Sequence, residues 1–386
     1  MNFNQQLTKM FFLLFSLILF VSACGGSINK LAVSPTSSLQ KASSPELTTT
    51  TTMSKSSNSS TSLVEIDIVT TTTIDPLEWF GPQHPLTGMP APDGQFLRPA
   101  LAVKVGNNDV NSLPQEGLEA ADIVYEAIIE AGKTRFLAVF QSSIPVRVAP
   151  VRSARSTDIS LIGNLSNPYF AYWGSNEGVG AEVAEAESRG TFVPQSAEVN
   201  NQEAFARDPA RGQSPYDGTL TPASLMAASS ASVPISVFEY GEISPTAIPA
   251  LGIRWLTDGR SVEYLWDKES EKWNRFQDGN PMFDSYGSTL SADNVVVLYV
   301  DYSRSKADPN SPQAQSTGSG DGWLLRDGRL IGLIWERQFE ASRWSFFDDQ
   351  TGEIVKLAPG RTWVSLAQLG QTTVLSPIEA ALLSGK

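Results

Sequence analysis

Apolar positions along this chain fall into three regimes, and each predicts a different kind of segment. Residues 10–21 form a nearly unbroken apolar run. Residues 27–73 hold few large apolar side chains and are rich in Ser and Thr, with tracts at 48–52 and 70–73. From Trp79-Phe80 onward, short apolar runs alternate with polar punctuation, as packed strands and helices require. Residues 100–105 read as a buried strand. Over 122–130 the side chains alternate, with Ile123, Tyr125, Ala127 and Ile129 on one side. Asp122, Val124, Glu126, Ile128 and Glu130 fall on the other. Ala131-Gly132-Lys133 supplies a turn and 134–141 returns, which predicts a β-hairpin. Helices are predicted at 156–164, 178–188 and 222–230, and a short strand at 63–69.

The second half, 251–368, is predicted to be mainly strand. Asp258-Gly259, Asp278-Gly279, Asp327-Gly328 and Thr351-Gly352 punctuate it at regular intervals. Asp-Gly between alternating apolar residues signals a hairpin, because the turn needs positive φ at low cost. Residues 294–300 are the clearest central strand. Trp323, Trp335, Trp344 and Trp363 lie on or beside strands, where core packing is the simpler reading and a carbohydrate-stacking platform the alternative. The Pro/Gly/Ser-rich stretch 309–320 reads as a candidate flap. The expected fold is α+β: a mixed α/β N-terminal domain over 79–245, then a mainly β C-terminal domain over 250–370.

The first two regimes read as delivery and spacing. Residues 1–23 resemble an export signal, with Lys9 before the apolar run and Ser22-Ala23 as a small-residue cleavage site. The run is too short for a bilayer, which needs about 20 apolar residues. Val21-Ser22-Ala23-Cys24 resembles the bacterial lipobox, whose cysteine is diacylated, and Cys24 is the only cysteine of the chain. Two acyl chains anchor stably where one is marginal. Residues 24–78 are then a lipidated N-terminus and a disordered Ser/Thr-rich linker, spanning roughly 40 Å as a coil of about 50 residues. The expected location is extracytoplasmic, lipid-anchored to the cell membrane.

Composition narrows the chemistry. The formal charge of -13 disfavours nucleic acid, because no phosphate-neutralising surplus of cations exists. One Cys excludes an intrachain disulfide, and His84 is the only histidine. No metal-binding, phosphate-loop or serine-hydrolase motif occurs, so no cofactor, metal or catalytic residue is assigned.

The best cluster is Pro150-Val151-Arg152-Ser153-Ala154-Arg155-Ser156-Thr157-Asp158. Arg152 and Arg155 flank a predicted helix start with Ser153 or Ser156 as N-cap, an arrangement suited to an anion. Asp122, Glu126, Glu130 and Arg135 are pocket candidates beside it. Structural salt bridges among these charges are the alternative. Gly174-Ser175 is a further candidate, although Ser175 has no histidine partner and is a poor nucleophile.

Several stretches resemble the YerB-like family of bacterial lipoproteins, a two-domain family. They include Pro85-Leu86-Thr87-Gly88, Leu118-Glu119-Ala120-Ala121-Asp122-Ile123-Val124-Tyr125-Glu126, Thr134-Arg135-Phe136, Pro150 to Arg155, Asp293-Asn294-Val295-Val296 and Pro359-Gly360-Arg361-Thr362-Trp363. The resemblance runs from about residue 84 to 366. It departs at Pro215-Tyr216-Asp217-Gly218-Thr219 and at Gly106-Asn107-Asn108, where the family pattern leads one to expect Pro-His-Asn-Leu-Tyr and an acidic residue with Asn. The resemblance implies an envelope lipoprotein without naming a substrate. The expected function is non-enzymatic binding or scaffolding of an anionic group, from a cell-wall fragment or a cell-wall protein, assisting cell-wall metabolism. The alternative is a cell-wall hydrolase with Glu126 and Glu130 as acid and base, but residues i and i+4 of a strand lie about 13 Å apart, too far for either usual geometry.

Overall fold

The computed structural model describes residues 48–50, 71–73, 75–92, 94–199, 202–226 and 231–385. The export signal, Cys24, residues 63–69 and most of the linker lie outside them. Within the threonine tracts, Thr48–Thr50 pairs antiparallel with Thr71–Thr73.

The predicted hairpin forms as strands β2 (Ile123–Ile128) and β3 (Thr134–Phe140). Strand β1 (Leu101–Asn107) pairs with β3 on its other edge. Helix α1 (Ser156–Ile162) leads into β4 (Tyr169–Tyr172), and α2 (Glu177–Ser188) into β5 (Val193–Ser196). Helix α2 starts where Asn176 accepts the Val179 N–H. The third predicted helix is only a 3-10 turn, Pro222–Ser224, with residues 227–230 outside the described set.

The second half contributes β6 (Ile248–Pro249), β7 (Gly252–Thr257), β8 (Arg260–Asp267) and β9 (Lys272–Gln277). It continues with β10 (Asn294–Tyr299), β11 (Tyr302–Arg304), β12 (Pro312–Ala314), β13 (Gly318–Arg326), β14 (Arg329–Arg337) and β15 (Ser345–Asp348). β16 (Thr362–Ala367), β17 (Thr372–Val374) and helix α3 (Pro377–Leu383) close the chain. Asp278 and Gly279 both take positive φ, 52° and 75°, as do Asp327 and Gly328 at 52° and 68°. These are the primed turns that the Asp-Gly pairs predict. The candidate flap is largely ordered by pairing: β11 and β12 form a small hairpin, and Gly318 begins β13.

Strands from both halves share one large sheet, in the order β6-β14-β13-β10-β16-β2-β3-β1-β4-β5, with β15 paired to β14. The join is β16, which runs parallel to β10 on one edge and to β2 on the other. The division of the chain near 245–250 therefore does not divide this sheet. A second sheet, built on β9-β8-β7-β17, packs on one face through Trp255, Tyr264 and Trp273. Helices α1 and α2 cover the opposite face through Ile159, Ile162, Val179 and Val183. Both faces of the central strands are thus buried, and apolar side chains on alternate sides of β2 enter different cores. Trp335, Trp344 and Trp363 are buried to 2% exposure or less and are core, while Trp323 on β13 is partly exposed and packs edge-on against Tyr299.

Candidate functional site

The alternation of strands β1 and β3 sends Lys104 and Arg135 to the helix-covered face, in line with Leu137 and Val139. The segment leading to α1 crosses this end of the sheet. The Arg152 N–H donates to the Lys104 carbonyl, and the Trp173 N–H to the Arg152 carbonyl. Gly106 makes the crossing fit, because a Cβ there would stand 2.9 Å from Arg152 Cγ. Arg135, Arg152 and Arg155 consequently gather at one place. Open α/β sheets bind ligands beyond the carboxyl ends of their parallel strands, and β1, β2 and β4 all end here.

Each charge has a definite environment. Lys104 Nζ lies 2.6 Å from Asp158 Oδ1, with both side chains buried. Burial lowers the proton affinity of Lys104, and the Asp158 charge works against that. Arg155 Nε donates to Glu130 at 3.0 Å, and both residues are partly exposed. Burial pushes the Glu130 carboxyl up, but the Ser311 hydroxyl and the Arg155 charge outweigh it and hold Glu130 down at about 2. Arg152 Nη1 donates to the neutral amide oxygen of Asn108 at 3.0 Å, and its guanidinium lies 5.3 Å from the Tyr216 ring centre. Arg135 is 3% exposed, donates only to the Ser153 carbonyl at 3.3 Å, and has no acceptor for its Nε–H. Burial, then repulsion from Arg155 and Arg152, lowers Arg135 to about 9. No carboxylate pairs with Arg135 or Arg152 among the described residues, whereas Lys104 and Arg155 have partners.

The helix start takes no part in this. Arg155, rather than Ser153 or Ser156, is the N-cap, and Asp158 accepts the Arg155 N–H at 2.8 Å. Ser156 faces elsewhere, to Glu182 and Ser305. A seven-residue helix with a carboxylate already on its first turn offers nothing further to an anion.

The other candidates separate from the cluster. Glu126 projects to the opposite face of the sheet, where Arg275 Nη2 contacts its two oxygens at 2.7 and 2.8 Å and both side chains have zero exposure. It also accepts from Thr134 and Trp363. Glu126 is a closed structural ion pair, so it has no access to a substrate, and with Glu130 held at about 2 no acid–base pair exists between them. Gly174 is tied to the cluster only through its carbonyl, which accepts the Ala154 N–H. With Ser175 it lines a separate cavity of about 280 Å³, together with Glu177, Glu187 and Glu198, whose sign repels an anion.

Asp122 immediately precedes β2, at the opposite end of that strand from Glu130 in the β2–β3 turn. There it accepts from the Ser142 amide and hydroxyl. Burial pushes its carboxyl up to about 6, against those two bonds. The folded state then holds a proton that the unfolded state, near 3.8, releases earlier. Stability tied to Asp122 is fully present below about pH 4 and disappears as pH rises through 6, on the order of 3 kcal/mol. Urea denaturation of Asp122→Asn against the parent chain between about pH 4 and 7 checks this. Parallel pH curves for the two chains defeat it.

Residues 86–233 match the family described as "Protein of unknown function (DUF3048) N-terminal domain", and residues 251–364 match the corresponding C-terminal domain. The chain is 27% identical over 293 residues to "Putative lipoprotein YerB" of Bacillus subtilis (strain 168), covering 73% of this chain and 85% of that protein. The crystal structure of the YerB protein from Bacillus subtilis matches with a TM-score of 0.67 at 24% identity, over 77% of this chain and all of the other. That likeness bears on the fold. With both domains present in order and in one sheet, the chain belongs to the YerB-like family of lipoproteins, whose N- and C-terminal domains are of unknown function.

Proposed function

We propose that this chain is a non-enzymatic, lipid-anchored binding protein on the outer side of the cell membrane. Its cluster of arginines at the sheet end receives an anionic group, carried by a cell-wall fragment or by a cell-wall protein. Cys24 in its lipobox and the lipoprotein name of the Bacillus subtilis relative support the anchor. One observation carries the binding role: Arg135 is buried without a carboxylate, beside a second unpaired guanidinium, Arg152. A buried cation without a counter-charge is costly, and a bound anion relieves that cost. The structural salt-bridge reading accounts for Arg155 with Glu130 but leaves Arg135 and Arg152 unexplained.

Calorimetric titration of the detergent-solubilised full chain with sulfate and with acetate tests the cluster. Binding is expected for at least one of them and is lost in Arg152→Ala/Arg155→Ala. Because these side chains are partly exposed, the double variant should cost only about 1 kcal/mol of stability. A silent titration of the parent chain, or a variant that binds as well as the parent, overturns the reading. Incorporation of labelled palmitate, abolished by Cys24→Ser, tests the anchor separately.

A further inference from the structure

The count and placement of hydrogen-bond donors say which anion fits the cluster. Arg155 already uses Nε on Glu130 and Nη1 on the Ala154 carbonyl. Arg135 makes one long bond to Ser153, and Arg152 one bond to Asn108. Arg135 and Arg152 therefore carry N–H groups that no carboxylate engages among the described residues, and the Arg135 Nε–H is buried without an acceptor. A carboxylate offers two oxygens in one plane, which a single guanidinium fork satisfies. Here the forks come from strand β3 and from two positions of the crossing segment, so a planar carboxylate leaves part of the set unused. A terminal phosphate offers three strong acceptor oxygens and nearly two negative charges at neutral pH. Two charges also match the two guanidiniums that have no carboxylate.

The surroundings restrict what carries the phosphate. The chain as a whole bears a formal charge of -13, which opposes the approach of a long polyanion. On the far side of Arg152, between Trp173, Arg207 and Gly218, the space is about 30 Å³. That admits a water molecule and excludes a sugar ring or a base. Arg207 is spoken for, stacked 4.6 Å from the Trp173 ring centre and paired with Asp217 at 2.6 Å. No room for a ring therefore lies next to Arg152 on that side.

Building on the anion-binding reading above, we infer that Arg135, Arg152 and Arg155 form a receptor for the phosphomonoester end of an otherwise neutral envelope molecule, either a soluble one or a lipid headgroup.

The test is calorimetry on the full chain with glycerol phosphate, acetate and sulfate from about pH 5 to 8. Glycerol phosphate is expected to bind at least about tenfold tighter than acetate, since it engages additional charge-assisted donors. Its apparent affinity should fall about tenfold for each pH unit below the second ionisation of phosphate near 6. Sulfate, doubly charged throughout, should bind with little pH dependence. It serves as the control for the protein groups facing the cluster: Lys104 on β1, Arg135 on β3, Glu130 in the β2–β3 turn, Asp109 after β1, and Arg152, Arg155 and Asp158. Arg152→Gln, at a half-exposed position, should weaken glycerol phosphate tenfold or more (about 1.4 kcal/mol). Arg189→Gln, in an exposed pair with Glu185 on α2, should not change it.

Co-flotation of the Cys24→Ser chain with phosphatidylcholine vesicles containing phosphatidic acid, abolished by Arg152→Gln, would assign a lipid headgroup. Tight glycerol phosphate binding without flotation would assign a soluble ligand. Acetate binding as tightly as glycerol phosphate overturns the phosphate inference while the anion site stands. Silence towards all three anions removes both.

Discussion

Glu126→Ala is expected to lower the unfolding free energy by about 3–5 kcal/mol, and Arg275→Ala by a similar amount. The reason is the asymmetry of buried ion pairs. Taking both charges out of water is costly and their attraction returns roughly that cost, but removing one partner leaves the other charge stranded. Neither side chain of this pair has any solvent exposure. Arg275 is also enclosed by aromatic rings, with Phe136 and Trp363 at 5.2 and 5.1 Å and Tyr264 at 6.0 Å from its guanidinium carbon. No water can replace a lost carboxylate there without repacking. Burial works to lower the proton affinity of Arg275, and the Glu126 charge, together with Tyr264 and the hydrogen bonds to both, outweighs it. The pair joins strand β2 of the large sheet to strand β9 of the second sheet, so the loss should appear as one cooperative transition shifted as a whole. Glu126→Leu/Arg275→Met should lose less than either single alanine variant, because no charge is left unpaired. A double variant whose loss equals the sum of the singles, measured by urea denaturation, would show that the two side chains are energetically independent and defeat the argument.

The same pair marks where sequence reading ends. Strand β2, its hairpin with β3, and the turns at Asp278-Gly279 and Asp327-Gly328 follow from period-two alternation and from residues that tolerate positive φ, and all were legible locally. The partner of Glu126 was not legible, because Arg275 lies 149 residues away and nothing local encodes a cross-sheet pairing. Register has the same character. Glu126 stands opposite Phe136, and Ala127 opposite Arg135, which puts the carboxylate and the arginine on different faces of the sheet. Without that register, the two look like neighbours in one polar pocket. Of the helix expected at 222–230, the described residues show one 3-10 turn, which Pro222 suits as a start, with Leu225 still in helical φ/ψ, and 227–230 lie outside the described residues. For the arginine cluster, the residue types of Arg135, Arg152 and Arg155 were visible in the sequence. That two of them lack carboxylates was not, because it depends on Asp158 being claimed by Lys104 across 54 residues.

Asp158→Asn should therefore have a large effect at the cluster, about 3–5 kcal/mol near pH 7, despite preserving the shape of the side chain. Asp158 Oδ1 meets the Lys104 ammonium at 2.6 Å, while Oδ2 accepts the Arg155 N–H that opens helix α1. An amide can still accept one of these bonds, but it removes the only charge that compensates Lys104. The ammonium would then be buried with Arg135 and Arg155 as its charged neighbours. Its proton affinity, already below the ordinary value of 10.5 through burial, would fall further once the Asp158 charge no longer raises it. Between that lowered value and 10.5 the unfolded chain binds more protons than the folded one, so stability rises with pH. The variant should accordingly recover part of its deficit as pH rises from neutrality towards 10.5, over a range in which the parent changes less. Lys104→Met/Asp158→Leu should lose less than Asp158→Asn, by the same asymmetry that governs Glu126 and Arg275. A deficit for Asp158→Asn that stays constant with pH would mean that Lys104 is not the group bearing the cost. Recovery with rising pH would identify Asp158 as the charge that lets a lysine and three arginines share one end of the sheet, leaving Arg135 and Arg152 for a ligand.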